Sequence, residues 1–231
     1  MRINLHPNWN SINDAYELTR EEIETQADND LIKYKRAFAK KYGQLASVVL
    51  DVDNFVKEMW DIEVVFESLE QTPGEQTLGF FDPETKKIYI EETICENFAR
   101  VNFTIAHEAG HISLHTSMLH LESGIIKGWD VQPKVRPKDK KSEIIHRRKE
   151  WQANKYAAAL LAPKIELIGV LKELGLVSAG ALMQPVDLGL HGKAFDQRFG
   201  LSRQALEIRF GELSIPIKNS KYPALTNRKA A

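Results

Sequence analysis

The sequence predicts an α+β fold: a small antiparallel sheet packs against a central helix, and a mainly helical C-terminal part follows. Three runs of strand-like composition stand close together between residues 62 and 92, and segments with apolar residues at helical spacing lie on both sides of them. The chain has 231 residues, of which 43% are hydrophobic, and this is enough to bury a sizeable core.

The part of the chain before the sheet carries two helical patterns. Apolar residues recur at helical spacing between residues 29 and 45, which predicts a helix. A shorter helix is predicted over residues 53–60, where Asp51 or Asp53 could accept backbone N–H bonds at the N-terminus. Residues 1–28 are polar and weakly patterned, so we assign them to an N-terminal extension.

The predicted strands are residues 62–69, 77–82 and 86–92. The last two flank the sequence Asp-Pro-Glu-Thr at residues 82–85, which indicates a turn because proline presets its own φ angle. Isoleucines alternate with polar and aromatic residues in the third strand, as they do in strands with one buried face.

Helices dominate the remainder of the chain. Residues 96–119 predict a helix, and its apolar stripe comprises Phe98, Val101, Ile105, Ala109 and Ile112. Residues 120–142 lack periodicity and predict a loop, whereas residues 143–162 predict a long helix that Pro163 ends. Further helices are predicted at residues 164–175, 186–200 and 204–213, the last with Ser202 as its N-cap. We divide the chain into the extension (1–28), a central domain (29–175) and a C-terminal helical subdomain with a tail (176–231).

Composition excludes several classes of protein. A net charge of −1 does not indicate a polyanion-binding protein. The single cysteine, Cys95, rules out an intramolecular disulfide, and we expect it to be a small buried hydrophobic residue. The N-terminus lacks the apolar region of a secretory signal, and the longest apolar runs fall short of the roughly 20 residues that a membrane helix needs. We therefore expect a soluble, cytoplasmic protein without a membrane partner.

One segment of the central helix carries three of the seven histidines. His107 and His111 enclose Glu108 in an H-E-x-x-H pattern. Residues four apart lie on one face of a helix, so both imidazoles can reach one ion, and zinc accepts imidazole nitrogen at about 2.0–2.1 Å. Glu108 is rotated by about 100° from His107 and can take a proton from a water molecule that the ion polarises. The pattern predicts a catalytic zinc site with Glu108 as the general base.

The third ligand is less clear, because a catalytic zinc ion usually has three protein ligands and one open position. His115 lies about 12 Å along the helix from His107, so we expect it to pack beside the site rather than to bind the ion. Glu150 is the better candidate, since Asn154 follows one turn later and could accept the N–H of a ligating imidazole. Spacing alone does not decide between Glu150 as a ligand and Glu150 as an exposed helix residue. The rival carboxylates are Glu143 and Glu122.

Two segments resemble the ImmA/IrrE family of zinc metallopeptidases. RVNFTIAHEAGHISLH (residues 100–115) is similar to that family's histidine-containing helix, and EWQANKYAAALLAP (residues 150–163) is similar to its Glu-x-x-Ala-Asn block and the proline stop that follows. The matching positions are Arg100, Phe103, Thr104, Ala106, His107, Glu108, Gly110, His111, Leu114, His115, Glu150, Ala153, Asn154, Ala157, Ala158, Leu160, Leu161 and Pro163. The departures are Asn102 in place of a second arginine, Tyr156 where phenylalanine is common, and a longer stretch than usual between His111 and Glu150.

The resemblance implies that His107, His111 and Glu150 bind zinc and that Glu108 is the general base. It also implies a gluzincin-like arrangement, in which a small sheet precedes the active-site helix and residues 29–175 form a metallopeptidase domain. The implied activity is that of a zinc metalloendopeptidase. The implied substrate is a helix-turn-helix transcriptional repressor, whose cleavage would relieve repression under stress. Manganese could replace zinc in the cell, because sites made of histidine and carboxylate accept several metals.

Other interpretations stay open. A non-proteolytic zinc-containing module could bind or sequester a repressor or an antitoxin, although a purely structural zinc site has no use for Glu108. Residues 134–149 contain eight Lys/Arg and two Asp/Glu, but such runs are commonly just solvated. The C-terminal helices show no basic recognition face, so we expect no direct nucleic-acid partner.

The sequence also suggests where a peptide substrate would lie. An extended peptide could add to an exposed sheet edge, and we expect residues 86–92 to form that edge. The candidate donors to the oxyanion are His115, His146 and Tyr156, and nothing in the sequence separates them.

Overall fold

Seven helices and two small sheets make up the described part of the chain. The computed structural model describes residues 9–10, 15–16, 18–43, 49–71, 76–115, 140–177 and 185–218. In chain order the elements are β1 (Trp9–Asn10), β2 (Ala15–Tyr16), α1 (Arg20–Tyr42), α2 (Val52–Trp60), β3 (Glu63–Glu67), β4 (Gly79–Asp82), β5 (Lys87–Glu91), a 3-10 turn (Glu92–Ile94), α3 (Phe98–His115), α4 (Lys140–Leu161), α5 (Lys164–Glu173), α6 (Leu188–Phe199) and α7 (Arg203–Glu212). The predicted α+β class is confirmed.

The main sheet is mixed rather than antiparallel. Its strand order is β3-β5-β4, so β5 is the central strand and β4 lies at an edge. The predicted hairpin between β4 and β5 is present, with Gly79 opposite Ile90 and Asp82 opposite Lys87. Strand β3, however, runs parallel to β5, and this part of the prediction was wrong. The turn at residues 82–85 fixes only the direction of β4 relative to β5, whereas the direction of β3 depends on the path of residues 68–78.

Helix α1 starts well before residue 29, the predicted boundary. Thr19 and Glu22 form a capping box at its N-terminus, and Gly43 ends it in the left-handed conformation with φ at 68°. Ile23 and Ala27 are fully buried in the core. The run of acidic and polar residues between them hides the helical period, which explains why the sequence placed the start too late. The division of the chain into three domains stays a prediction.

Helices α3 and α4 pack closely against each other. Val101, Ile105, Ala109 and Ile112 of the predicted stripe are buried, but Phe98 is 62% exposed, which corrects the first position of that stripe. A Cβ atom placed on Gly110 would lie 3.0 Å from both Cα and the carbonyl oxygen of Ala153. A residue without a side chain at position 110 therefore lets the two backbones approach each other closely.

Several local predictions also have a clear outcome. Asp51 and Ser202 cap α2 and α7 through their side chains, as expected. Cys95, expected to be buried, is exposed. The predicted loop at residues 120–142 lies outside the described residues, apart from its last three positions, which belong to α4. None of the described helices is both long and apolar enough to cross a bilayer.

Helix α7 packs into the body of the protein through charged side chains. Arg209 is 1% exposed and donates to the carbonyl oxygen of Ala162 at 3.1 Å and to Glu24 at 2.7 Å. Glu212 is also buried and pairs with Lys155 of α4. These contacts attach α7 to α1, to α4 and to the residue that follows α4, so Arg209 and Glu212 serve internal packing.

Candidate metal centre

Two imidazoles on α3 point at each other one turn apart. The Nε2 atoms of His107 and His111 lie 3.1 Å apart, and their rings meet edge to face. The side chains are 12% and 14% exposed, so both are largely withdrawn from solvent. The four-residue spacing read from the sequence thus places two nitrogen donors at one point.

The side chain of Glu150 reaches the same point from α4. Its Oε2 atom lies 3.2 Å from Nε2 of His107, and its Oε1 atom lies 3.2 Å from Nε2 of His111. We call these three side chains the donor triangle. Zinc bound tetrahedrally at about 2.0–2.1 Å places its ligand atoms roughly 3.3 Å apart, so the spacing of the triangle fits such an ion. His107, His111 and Glu150 can therefore hold a metal ion, and the geometry leaves its identity open.

The electrostatics of the donor triangle favour a cation. Burial would raise the pKa of Glu150, but its hydrogen bonds to the two imidazoles hold that pKa well below its usual range. Burial lowers the pKa of His107, whereas the hydrogen bond to Glu150 and the charges of Glu108 and Glu150 raise it, and the net change is upward. The site thus keeps its carboxylate ionised and attracts positive charge, whether a proton or a metal ion.

Asn154 lies behind His107. Its side-chain oxygen lies 3.1 Å from Nδ1 of His107, on the side of the ring away from the donor triangle. An amide oxygen only accepts, so this contact places a hydrogen on Nδ1. The protonated ring also donates from Nε2 to Glu150, and loss of that proton leaves a lone pair on Nε2. This is the contact that the sequence suggested for Asn154, and it suits a ligating histidine.

His115 lies behind His111 and does not belong to the donor triangle. Its Nδ1 atom lies 3.1 Å from Nδ1 of His111, and its Nε2 atom lies 2.9 Å from the side-chain oxygen of Gln152. Burial, together with the neighbouring His111, lowers the pKa of His115 to about 3, so the ring is neutral. Gln152 could not be recognised from the sequence, because two positions beyond Glu150 it lies about 200° around the helix, outside the Glu150–Asn154 face.

A cleft opens beside the donor triangle. It has a volume of about 230 Å³, and its described lining comprises Gln76, Thr77, Leu78, Gly79, Phe103, Thr104, His107, Glu108, Glu150 and Asn154. Glu108 is 5% exposed and lines this cleft together with His107 and Glu150. The opposite wall is the start of β4 and the residues before it. This wall was not the one expected from the sequence, since β5 is the central strand and β4 is the edge.

The other candidates from the sequence lie elsewhere. The hydroxyl of Tyr156 donates to Asp30 at 3.0 Å, so this residue is committed to the core and does not line the cleft. Glu143 accepts a hydrogen bond from Arg147 and takes no part in the donor triangle. His146 is not among the residues described as lining the cleft. Glu122 lies outside the described residues.

A buried polar cluster on α1 contacts both α3 and α4. Asp30 of α1 is 3% exposed and accepts from Ser113 of α3 at 2.5 Å and from Tyr156 of α4 at 3.0 Å. Gln26, also on α1, donates to the same carboxylate at 3.0 Å. The carboxylate of Asp30 therefore links three helices, and its partner on α3, Ser113, lies two positions after His111.

Gly79 sets the distance between the main sheet and helix α3. A Cβ atom at this position would lie 2.7 Å from Cγ2 of Thr104 and 2.9 Å from the carbonyl oxygen of Tyr89. We expect Gly79→Ala to force β4 away from its neighbours and to destabilise the protein by about 1–3 kcal/mol, measured by thermal or denaturant unfolding. Gly211→Ala is the matched control, because a Cβ atom there meets nothing within 4 Å. Equal melting temperatures for the two variants would show that β4 tolerates the displacement.

Comparisons with solved structures give distant likenesses. No family model matches the sequence, and the comparison with curated proteins found no match. Among solved structures, the chain is similar to a Mycobacterium tuberculosis transcriptional regulator, with a TM-score of 0.46 and 14% sequence identity. That likeness covers 89% of this chain and 53% of the other, so the chain spans about half the length of that regulator.

Proposed function

We propose that this protein is a zinc-dependent metallopeptidase that hydrolyses peptide bonds in a protein substrate. The observation that supports the proposal is a cleft beside an edge strand, which Glu108 lines together with two members of the donor triangle, His107 and Glu150. A metal site with a purely structural role is usually closed by four protein ligands. Within the described residues this site has three candidate ligands and an adjoining carboxylate that is not one of them.

The roles of the residues follow from their positions. His107, His111 and Glu150 would hold the ion, and Asn154 would keep His107 in the tautomer that can bind it. A zinc ion in such a site polarises a carbonyl group and lowers the pKa of water. Glu108 would accept the proton of the attacking water and pass it to the departing amine nitrogen. The low exposure of Glu108 keeps bulk water from competing for that proton.

We propose that an extended substrate segment binds in the cleft. One wall of the cleft is formed by Gly79 and the three residues before it, and among the described strands β4 pairs only with β5. Edge strands offer unpaired backbone N–H and C=O groups, which can bind an extended peptide by strand addition. We therefore place the scissile bond between the donor triangle and the start of β4, rather than beside β5.

The substrate class rests on the resemblance of residues 100–115 and 150–163 to the ImmA/IrrE family. On that basis we propose a helix-turn-helix transcriptional repressor as the substrate and zinc, or manganese, as the metal in the cell. Direct DNA binding through α7 is not part of the proposal, because Glu207, Arg209 and Glu212 on that helix are buried.

The test is cleavage that depends on a metal ion. The zinc-loaded protein is incubated with a purified helix-turn-helix repressor and with a pool of unstructured peptides, and the products are identified by mass spectrometry. We expect internal peptide-bond cleavage, which stops when a chelator removes the metal and returns when zinc or manganese is added back. Intact repressor and intact peptides would overturn the proposal. Release of the repressor from DNA without any cleavage would instead support a sequestering module.

A further inference from the structure

Two buried side chains form a line of hydrogen bonds that ends on His111. Gln152 of α4 is fully buried and His115 of α3 is 6% exposed. Gln152 contacts Nε2 of His115 at 2.9 Å, and Nδ1 of His115 contacts Nδ1 of His111 at 3.1 Å. We infer that Gln152 acts through His115 as a positioning residue, which fixes the tautomer in which His111 presents a lone pair to a metal ion.

The positions of the hydrogens follow from the chemistry of the groups. The side-chain oxygen of Gln152 only accepts, so the hydrogen in the first contact belongs to Nε2 of His115. A neutral imidazole with its hydrogen on Nε2 has a lone pair on Nδ1. The hydrogen in the second contact therefore belongs to Nδ1 of His111, and Nε2 of His111 keeps the lone pair that faces His107 and Glu150.

The opposite orientation of the Gln152 amide gives the opposite result. Its nitrogen would then donate to Nε2 of His115, and the hydrogen of His115 would move to Nδ1 and point at His111. His111 would have to accept on Nδ1 and carry its own hydrogen on Nε2, where it blocks a metal ion. The two orientations of this amide thus correspond to a metal-competent and a metal-incompetent tautomer of His111.

The two candidate histidine ligands are held in different ways. His107 has a direct amide acceptor in Asn154, at the wall of the cleft. His111 has an imidazole as its partner, and an imidazole can donate or accept until its other nitrogen is fixed. His115 and Gln152 are both buried, so water competes poorly for these contacts. The amide of Gln152 therefore determines whether Nδ1 of His115 accepts a hydrogen bond from His111 or donates one to it.

The first test reads the tautomers directly. Long-range proton–nitrogen correlation spectra of the ¹⁵N-labelled protein distinguish protonated from unprotonated ring nitrogens, with and without zinc. We expect His115 to carry its hydrogen on Nε2 in both samples, and His111 to carry its hydrogen on Nδ1 in the zinc-loaded sample. A hydrogen on Nδ1 of His115 would overturn the inference. This test uses the parent protein, so it does not depend on the folding of a variant.

The second test removes the acceptor. We expect Gln152→Leu to lose the fixed tautomer of His115 and to lower zinc affinity by about 10- to 100-fold, measured by competition with a chelating dye. The matched control is Tyr156→Phe, which deletes another buried hydrogen bond on the same helix, the one to Asp30. This control should keep the tautomer and the zinc affinity. Unchanged affinity in Gln152→Leu, or an equal loss in Tyr156→Phe, would overturn the role of Gln152.

The inference rests on the metal-binding part of the proposed function and not on peptide hydrolysis. A protein that binds zinc with these tautomers but cleaves no peptide would leave the inference intact and would overturn the peptidase proposal. A protein that binds no divalent cation would overturn both.

Discussion

Replacing Glu108 with glutamine is expected to abolish peptide hydrolysis while zinc remains bound. The amide has nearly the same shape as the carboxylate, so the packing of this 5% exposed residue is preserved. It cannot accept a proton from water at neutral pH, and general-base catalysis typically contributes about 10²- to 10⁴-fold to a rate. We therefore expect kcat for peptide cleavage to fall by about that factor, measured by mass spectrometry or with a fluorogenic peptide.

The control for this prediction is Glu143→Gln. Glu143 lies on α4, pairs with Arg147 and takes no part in the donor triangle. The two variants lose the same charge, but only Glu108→Gln should lose activity, and both should bind zinc with the affinity of the parent protein. Parental cleavage rates in Glu108→Gln would show that another group takes the proton. Loss of zinc from this variant would show that Glu108 is itself a ligand.

The sequence predicted best what depends on short-range periodicity. The helical spacing of His107 and His111 and of Glu150 and Asn154 defined two helix faces, and the structure brings these faces together. The hairpin of β4 and β5 and the caps at Asp51 and Ser202 depend on neighbouring residues, so they too could be predicted.

Features that depend on distant parts of the chain could not be predicted. The parallel pairing of β3 with β5 depends on the path of the intervening chain. Phe98 belongs to the apolar stripe of α3 by its spacing, but unlike the rest of the stripe it is exposed. Whether a stripe residue is buried depends on which distant elements pack against it. Gln152 lies off the Glu150 face and contacts a histidine 37 positions away, so no local pattern marks it.

The contact between α3 and α4 links the fold to the metal site, and Gly110 determines how close the two helices come. A Cβ atom at position 110 would lie 3.0 Å from backbone atoms of Ala153 and 3.2 Å from Cβ of Tyr156. Backbone atoms cannot rotate away, so a larger residue must push α4 outward. Glu150 lies three positions before Ala153 on α4, and its distance to the imidazoles would grow with that displacement.

We therefore expect Gly110→Val to damage both stability and metal binding. Overpacking of a close contact typically costs about 1–3 kcal/mol, and each kcal/mol lowers the melting temperature of a protein of this size by about 2–4 °C. We expect zinc affinity to fall by at least about tenfold, because the carboxylate of Glu150 would no longer stand 3.2 Å from both Nε2 atoms. Calorimetry and competition with a chelating dye measure the two effects.

Gly169→Val separates the effect of packing from the effect of losing a helical glycine. Gly169 lies inside α5, and a Cβ atom there meets nothing within 4 Å. Valine is a somewhat better helix former than glycine, so this variant should be as stable as the parent protein or slightly more stable, with unchanged zinc affinity. Parental zinc affinity in Gly110→Val would mean that Glu150 reaches the imidazoles without the close helix contact. In that case the spacing of α3 and α4 would not be what assembles the donor triangle.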